Sequence, residues 1–240
     1  MQNLLYLCTL IMGKQSSIIV PEGCTRVLLH ACCAPCSSAI VEWLLAHEIE
    51  PVIYYFNPNI WPQEEYEIRK NESKRHAESL GIQWIDDDRR VAGAEQPCSY
   101  KEAHEAWWHE ICGLENEPER GKRCEVCFYH RLLATAKKAK VLGIPFFATT
   151  LASSRWKSLE QINAAGLKAE QSVNGSGAET VRFWAQNWRK DGLQERRNDL
   201  LREYGFYNQK YCGCEFSMPA ERRDSELHGS EQPERRQRFE

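Results

Sequence analysis

No apolar run in this 240-residue chain approaches the ~20 residues a bilayer-spanning helix requires, and the mean hydropathy is −0.60. A membrane-spanning bundle is excluded. The opening stretch MQNLLYLCTLIMGKQSS has an apolar run, but no basic residue precedes it and no small-residue cleavage site follows. It does not read as a secretory signal, and the expected location is the cytoplasm. Positive charge is not in excess either: 31 Lys and Arg face 34 Asp and Glu, a formal net charge of −3. No global field therefore draws the chain onto nucleic acid or anionic lipid. There is no internal repeat, and no glycine-rich phosphate loop follows the first apolar strand.

What the chain has is cysteine. Its 11 cysteines fall short of the ~8–10% that marks a short disulfide scaffold, yet they are too clustered to be inert filling. The chain needs no staples, because a compact domain of this length buries roughly 70–75% of its unfolded surface. With 42% apolar residues, including 8 Trp, 9 Tyr and 8 Phe, it has the material for a core. Paired cysteines without a leader point to metal or redox chemistry rather than to structural disulfides.

The pattern predicts a first strand at Val27–Ala31, running straight into Cys32-Cys33-Ala34-Pro35-Cys36 and then a helix over Ala39–His47. A β-branched and aromatic strand follows at Pro51–Phe56 and is broken by Asn57-Pro58-Asn59. Gln63–Leu80, dense in charge, reads as a solvated helix closed by Gly81. Further elements are a strand at Ile82–Ile85, a helix around His104–Ile111, a helix over Tyr129–Val141 stopped by Gly143, and a strand at Pro145–Thr150. Alternating strands and helices predict an α/β fold: a parallel, Rossmann-like sheet flanked by helices, with a helical C-terminal half beyond Gly177. The expected layout is an extension over 1–25, a body over 26–217 and a tail over 218–240. That tail is too charged to offset its own ordering entropy.

The cysteines divide into clusters. Cys32 and Cys33 follow a strand and precede a helix, with Cys36 one turn on. Ligands bind outside the carboxyl ends of parallel strands, and a helix N-terminus favours thiolate over thiol. Cys124-x-x-Cys127 is expected at a second loop-to-helix junction. Two such pairs make a four-thiolate site, suited to zinc or to an iron–sulfur cluster. An adjacent Cys-Cys pair reaches two corners of a cubane more naturally than one small tetrahedral ion, which favours [4Fe–4S]. Cys212-Gly213-Cys214 would close only a small, strained disulfide ring, so it reads as a redox-active dithiol, with two further metal ligands or idle thiols as alternatives. Cys8, Cys24, Cys98 and Cys112 stand alone and carry no assigned role; Cys36 is left open. Among the isolated histidines, each expected to be structural, His30 lies beside the cysteine pair.

Taken together, LLHACCAPCSS at 28–38, YFNPNIWPQEEYEIRK at 55–70, EPERGKRCEVCFYHRL at 117–132, FATTLASSRWKS at 147–158 and DGLQERRNDLLREYGFYNQKYCGCEFS at 191–217 resemble the QueH family of epoxyqueuosine reductases. The resemblance spans most of residues 26–217. It implies a cobalamin-independent reductase acting on the modified wobble base of tRNA, with an electron donor it does not identify. It further implies a [4Fe–4S] cluster on Cys32, Cys33, Cys124 and Cys127, and a redox-active disulfide at Cys212 and Cys214.

A tRNA substrate must be gripped. Arg182, Arg189, Lys190, Arg196, Arg197, Arg202 and Lys210 interleave with Phe183, Trp184, Trp188, Tyr204, Phe206, Tyr207 and Tyr211. That mixture suits phosphate contacts and base stacking, although five nearby carboxylates make an ordinary amphipathic helix pair the competing reading. Ser153–Lys157 is a second candidate surface. The rivals to the reductase are a zinc-stabilised RNA-binding module and an ATP-using tRNA-modifying enzyme of the PP-loop kind. The second lacks its phosphate loop, since HACCAPCSS stands in that place.

Overall fold

A computed structural model describes residues 17–86, 99–175 and 180–219. Cys8, Cys98 and all but the first two residues of the expected tail lie outside the described residues. The order of elements is β1 (Arg26–His30), α1 (Ala34–Ala46), β2 (Glu50–Tyr55), α2 (Gln63–Ser79), β3 (Trp84–Asp86), α3 (Tyr100–Glu110) and α4 (Lys122–Val141). Then come β4 (Phe146–Thr149), a 3-10 turn (Thr150–Ser153), α5 (Leu159–Val173), β5 (Arg182–Phe183), α6 (Leu193–Glu203) and a last 3-10 turn (Glu215–Ser217).

The five strands form one sheet in the order β3-β2-β1-β4-β5, every pairing parallel. The expected α/β fold is therefore present. Parallel strands need crossovers, and right-handed ones place the helices before and after the reversal on opposite faces. The packing agrees: α1 lies against α2 and α6, whereas α4 lies against α3 and α5. Both faces are covered, which is why β1 reads as a continuous apolar run, with Val27, Leu28 and Leu29 wholly buried. The chain leaves β1 towards β2 and β3, then returns to start β4 on the other side of β1. The crevice at the carboxyl ends of β1 and β4 is thus a topological switch point, the place where such sheets bind ligands.

Several boundaries move relative to the sequence expectations. Helix α1 starts at Ala34, five residues early, because Pro35 is well suited to a first helical turn. Helix α4 starts at Lys122, so Cys124 and Cys127 lie within its first two turns instead of before a helix. Helix α5 and strand β5 lie beyond the expectations altogether. Ser158 caps α5 by accepting from the backbone of Gln161, and Ile162, Ala165 and Ala169 turn its buried face to the sheet. Gly166 permits this approach, since a Cβ there would fall 2.3 Å from the Phe183 ring.

Helix α2 corrects the reading of a solvated helix. Glu65, Arg69, Lys70, Ser73 and His76 are all buried. The ring of His76 packs edge-on against Tyr204 and Phe206, at 5.1 and 5.2 Å between centroids. Burial, assisted by the Arg75 charge, lowers its pKa from 6.5 to about 4. Above pH 6.5 it is neutral folded or unfolded. As pH falls below 6.5 the unfolded chain takes the proton first, so stability is lost progressively down to about pH 4. The displacement corresponds to about 3 kcal/mol. A thermal melt series from pH 7 to 4.5 should show the wild type losing Tm more steeply than His76→Phe. Equal slopes would remove His76 as the cause.

For the aromatic C-terminal stretch the packing reading is the one most of the aromatics follow. Phe183, Trp184, Trp188, Phe206 and Tyr211 are buried, and Trp184 and Trp188 pack against Trp43 of α1. Arg196 pairs with Glu42 and Glu203, and Arg202 with Asp199. The Glu42 pair and the buried aromatics join α6 to the body, so much of the interleaved pattern records a core, while Arg197 and Lys210 line the cavity described below. Within the segment expected as an extension, Ile18 is buried and the backbone N–H groups of Ser17 and Ile18 donate to the Asp191 carboxylate.

Candidate redox-metal site

Three cysteines meet at the end of β1. Cys32 and Cys33 occupy the turn, and Cys36 lies in the first turn of α1, for which Cys33 is the N-cap. Their sulfurs all lie within 4.8 Å of one another, with Cys32 and Cys33 3.8 Å apart. All three are buried and free. Hydrogen bonds from the Cys33 and Cys36 thiols hold Cys32 well below the usual thiol range against the cost of burial, and the charges of Lys157 and Arg131 add to this. Burial pushes Cys33 up, and the bond it shares with Cys32 adds to the effect. Cys36 is raised mainly by its bond to Cys32.

The walls of this turn come from distant parts of the chain. Thr150, after β4, accepts from the backbone N–H of Cys32 at 3.3 Å. Gln209 places its amide nitrogen 3.0 Å from the Cys33 sulfur and 3.6 Å from that of Cys36. The buried Arg131 of α4 donates to the side-chain oxygen of Asn57, whose amide nitrogen in turn donates to the backbone oxygen of Ala31 at 2.9 Å. His30, expected to be structural, is held between Thr149 and the carbonyl of Phe56. A carbonyl can only accept, so the His30 proton sits on Nε2.

Cys32, Cys36, Cys124 and Cys212 line one open cavity of about 720 Å³ at the switch point. The Cys124 sulfur accepts from the backbone N–H of Arg120 at 3.3 Å, and burial pushes this thiol up to about 11. Cys127, one turn on, is buried with Cys214, Trp107 and Ile111. Burial raises it too, against the nearby Arg131 charge. The six cysteines singled out in the sequence, together with Cys36, thus fall around one place: Cys32, Cys36, Cys124 and Cys212 line the cavity, and Cys33, Cys127 and Cys214 are buried beside it. Of the solitary cysteines, Cys24 is buried and Cys112 exposed.

The CxC segment is held by α2. Arg69, 1% exposed, forms a 2.7 Å ion pair with Glu65, which is wholly buried. It also donates to the backbone oxygens of Cys212 and Tyr211, at 3.0 and 3.2 Å. Tyr207 donates to the other Glu65 oxygen at 2.7 Å. Gly213 takes a positive φ of 141°, and its carbonyl accepts from Trp61 at 2.8 Å. A Cβ at Gly213 would stand 3.1 Å from Asn59 and Ile60. The turn therefore directs Cys212 to the cavity and Cys214 to the apolar cluster behind it, where burial first and the neighbouring Cys212 second push its thiol to about 12.

Sequence reasoning passed over Arg69, Gln209 and Arg131. The one legible signal was the Glu65/Arg69 spacing of four on a helix, ordinarily a surface pair. Lys157, named as part of a surface stretch, lies at the cavity beside Cys212, Cys32 and Cys36. Burial opposes its charge, but those sulfurs outweigh burial and raise its pKa, so it stays protonated.

This arrangement has known counterparts. The family model described as "Epoxyqueuosine reductase QueH" matches residues 27–220. A protein named Epoxyqueuosine reductase QueH from Haemophilus influenzae is 41% identical over 199 residues, covering 83% of this chain and 74% of its own. Proteins of the same name from Histophilus somni and Acinetobacter baylyi are each 39% identical, covering 90% and 83% of this chain and 81% and 83% of their own. The matched span opens at β1 and closes just beyond the last 3-10 turn, so it contains every cysteine of the cavity: the chain belongs to the QueH family of epoxyqueuosine reductases.

Proposed function

We propose that this chain is a cytoplasmic oxidoreductase that converts epoxyqueuosine to queuosine at the wobble position of tRNA. The observation that carries the reading is the convergence of Cys32, Cys36, Cys124 and Cys212 on one cavity at the switch point of the sheet. A [4Fe–4S] cluster fits the donors: among the described residues the one group of three close metal-binding side chains is entirely sulfur, buried and free. Soft thiolates select iron–sulfur clusters, zinc or copper(I) over hard cations. Cys32, Cys33, Cys124 and Cys127 would hold the cluster, with Cys36 beside them. Bound there, it supplies single electrons and an iron able to act as a Lewis acid.

The chain's own residues account for the rest of the balance. Removing an epoxide oxygen breaks two C–O bonds and takes two electrons and two protons, leaving an alkene and water. Cys212 and Cys214 supply both: as their S–S bond forms, the two thiols release two electrons and two protons. Cys212 faces the substrate and Cys214 resolves from behind. A reductant from outside the chain restores the dithiol. Lys157 keeps a positive charge at the cavity, where it stabilises anionic sulfur and the oxygen as it leaves.

Anaerobic purification followed by iron, sulfide and EPR analysis, and then conversion of epoxyqueuosine-containing tRNA, tests the proposal. A brown protein with iron and sulfide that converts the base without ATP is expected. A colourless, zinc-loaded and fully competent protein would overturn the cluster, and a requirement for ATP would favour the PP-loop alternative.

A further inference from the structure

Trp156 is 80% exposed, at the mouth of the cysteine-lined cavity. It stacks on no other ring among the described residues. Leaving so large an apolar ring in water gains the fold nothing, yet the loop that carries it is braced. Arg120 donates to the backbone oxygens of Trp156 and Arg155, at 2.9 and 3.3 Å. Arg120 itself sits at a positive φ of 66°, and its own carbonyl accepts from Gln161 at 2.6 Å. A left-handed non-glycine residue is costly unless its surroundings hold it. The indole is therefore presented on a fixed support.

The electrostatics of the mouth differ from those of the whole. The chain carries a net −3, but the cavity is lined by Arg120, Arg155, Lys157, Arg197 and Lys210 against only two carboxylates, Glu119 and Glu195. The side chains of Arg155 and Lys210 are exposed and make no hydrogen bond or ion pair among the described residues. A polyanion with an unpaired base is the ligand that uses both features. A duplex keeps its bases stacked on one another and offers none to an indole, whereas a loop can splay one out. The cavity of about 720 Å³ also lies in the range that encloses a single small ligand.

We infer that Trp156 is a stacking platform for a nucleotide flanking the one that enters the cavity, with Arg155 and Lys210 on the neighbouring phosphates of a single-stranded RNA loop. The inference rests on the proposed activity for the identity of the enclosed base, but its test does not require turnover. Binding of an unmodified anticodon stem–loop RNA, and of the same stem closed as a blunt duplex, is measured by titration with wild type, Trp156→Ala, Trp156→Phe and the double variant Arg155→Gln/Lys210→Gln.

Loss of one base–aromatic stack should weaken loop binding about 5- to 150-fold in Trp156→Ala, and Trp156→Phe should recover most of it. The double variant should keep the preference for the loop but flatten the dependence of log affinity on log salt, by about 0.7 for each phosphate no longer neutralised. Unchanged loop affinity in Trp156→Ala, or a duplex bound as tightly as the loop, overturns the inference. A protein that binds the loop through Trp156 yet leaves epoxyqueuosine intact sinks the reductase reading and upholds this surface. One that reduces the base and is indifferent to Trp156→Ala does the reverse.

Discussion

Replacing Cys212 and Cys214 together by serine should take turnover to the limit of detection while leaving the visible absorbance of the purified protein in place. Serine hydroxyls match the thiols closely in size but cannot surrender an electron pair to form a bond with each other. Both single variants should fail as well, because a disulfide needs both sulfurs. The geometry assigns them different tasks: Cys212 lines the cavity, and Cys214 packs with Trp107, Ile111 and Cys127. With a thiol pKa of about 12, Cys214 is a poor nucleophile at neutral pH. Attack from outside therefore falls to Cys212. Iron content separates this role from ligation. If the double variant loses iron and colour together, the pair holds metal, and if it turns over normally, the dithiol has no part in the reaction.

Arg69→Gln should be the most damaging substitution away from the cysteines. It removes the ion-pair partner of the fully buried Glu65, which costs about 3–5 kcal/mol. For a body of this size that is a fall in Tm of about 6–20 °C. Two donors to the carbonyls of Tyr211 and Cys212 are lost at the same time. Burial works against the Arg69 charge, but Cys33 and Glu65 hold it in the ionised state. Replacing both partners, as Arg69→Met/Glu65→Met, leaves neither one stranded and should recover part of the Tm. It does not restore the hydrogen bonds to the two carbonyls, so turnover should stay low. Recovery of turnover along with Tm would show that the pair supports stability alone. Arg69→Lys keeps the charge but cannot grip two carbonyls and a carboxylate at once, so it should fold well and react slowly.

The parallel sheet was legible because buried strands read as apolar runs: LLH in β1, VIYY in β2 and FFAT in β4 need no partner to be seen. The cysteine clusters were legible for a different reason, since free thiols in pairs are rare enough to stand out. Helix α2 was misread because composition records charge but not direction. Glu65, Arg69 and Glu72 look like solvent-facing residues until the 207–214 segment lies across them and takes up their hydrogen bonds. For the aromatic stretch from Phe183 to Tyr211 two readings stood open, a surface for bases and an amphipathic packing face, and its buried aromatics mainly pack α6, α1 and the sheet together. Neither outcome concerns local propensity; both turn on contacts between segments far apart in the chain.

The cavity is walled by residues from 32 to 219, with Gln209, Cys212 and Met218 among its last contributors. A chain emerging from the ribosome presents Cys32, Cys33 and Cys36 well before Gln209, Cys212 and Cys214. Domains fold as the chain lengthens, N-terminal parts first. The Cys32 turn thus lacks its Gln209 cover until that later segment has been made. Anything installed in the site must either bind an unfinished nascent chain or enter through the open mouth after release, so the same opening is the route by which a finished chain can be loaded.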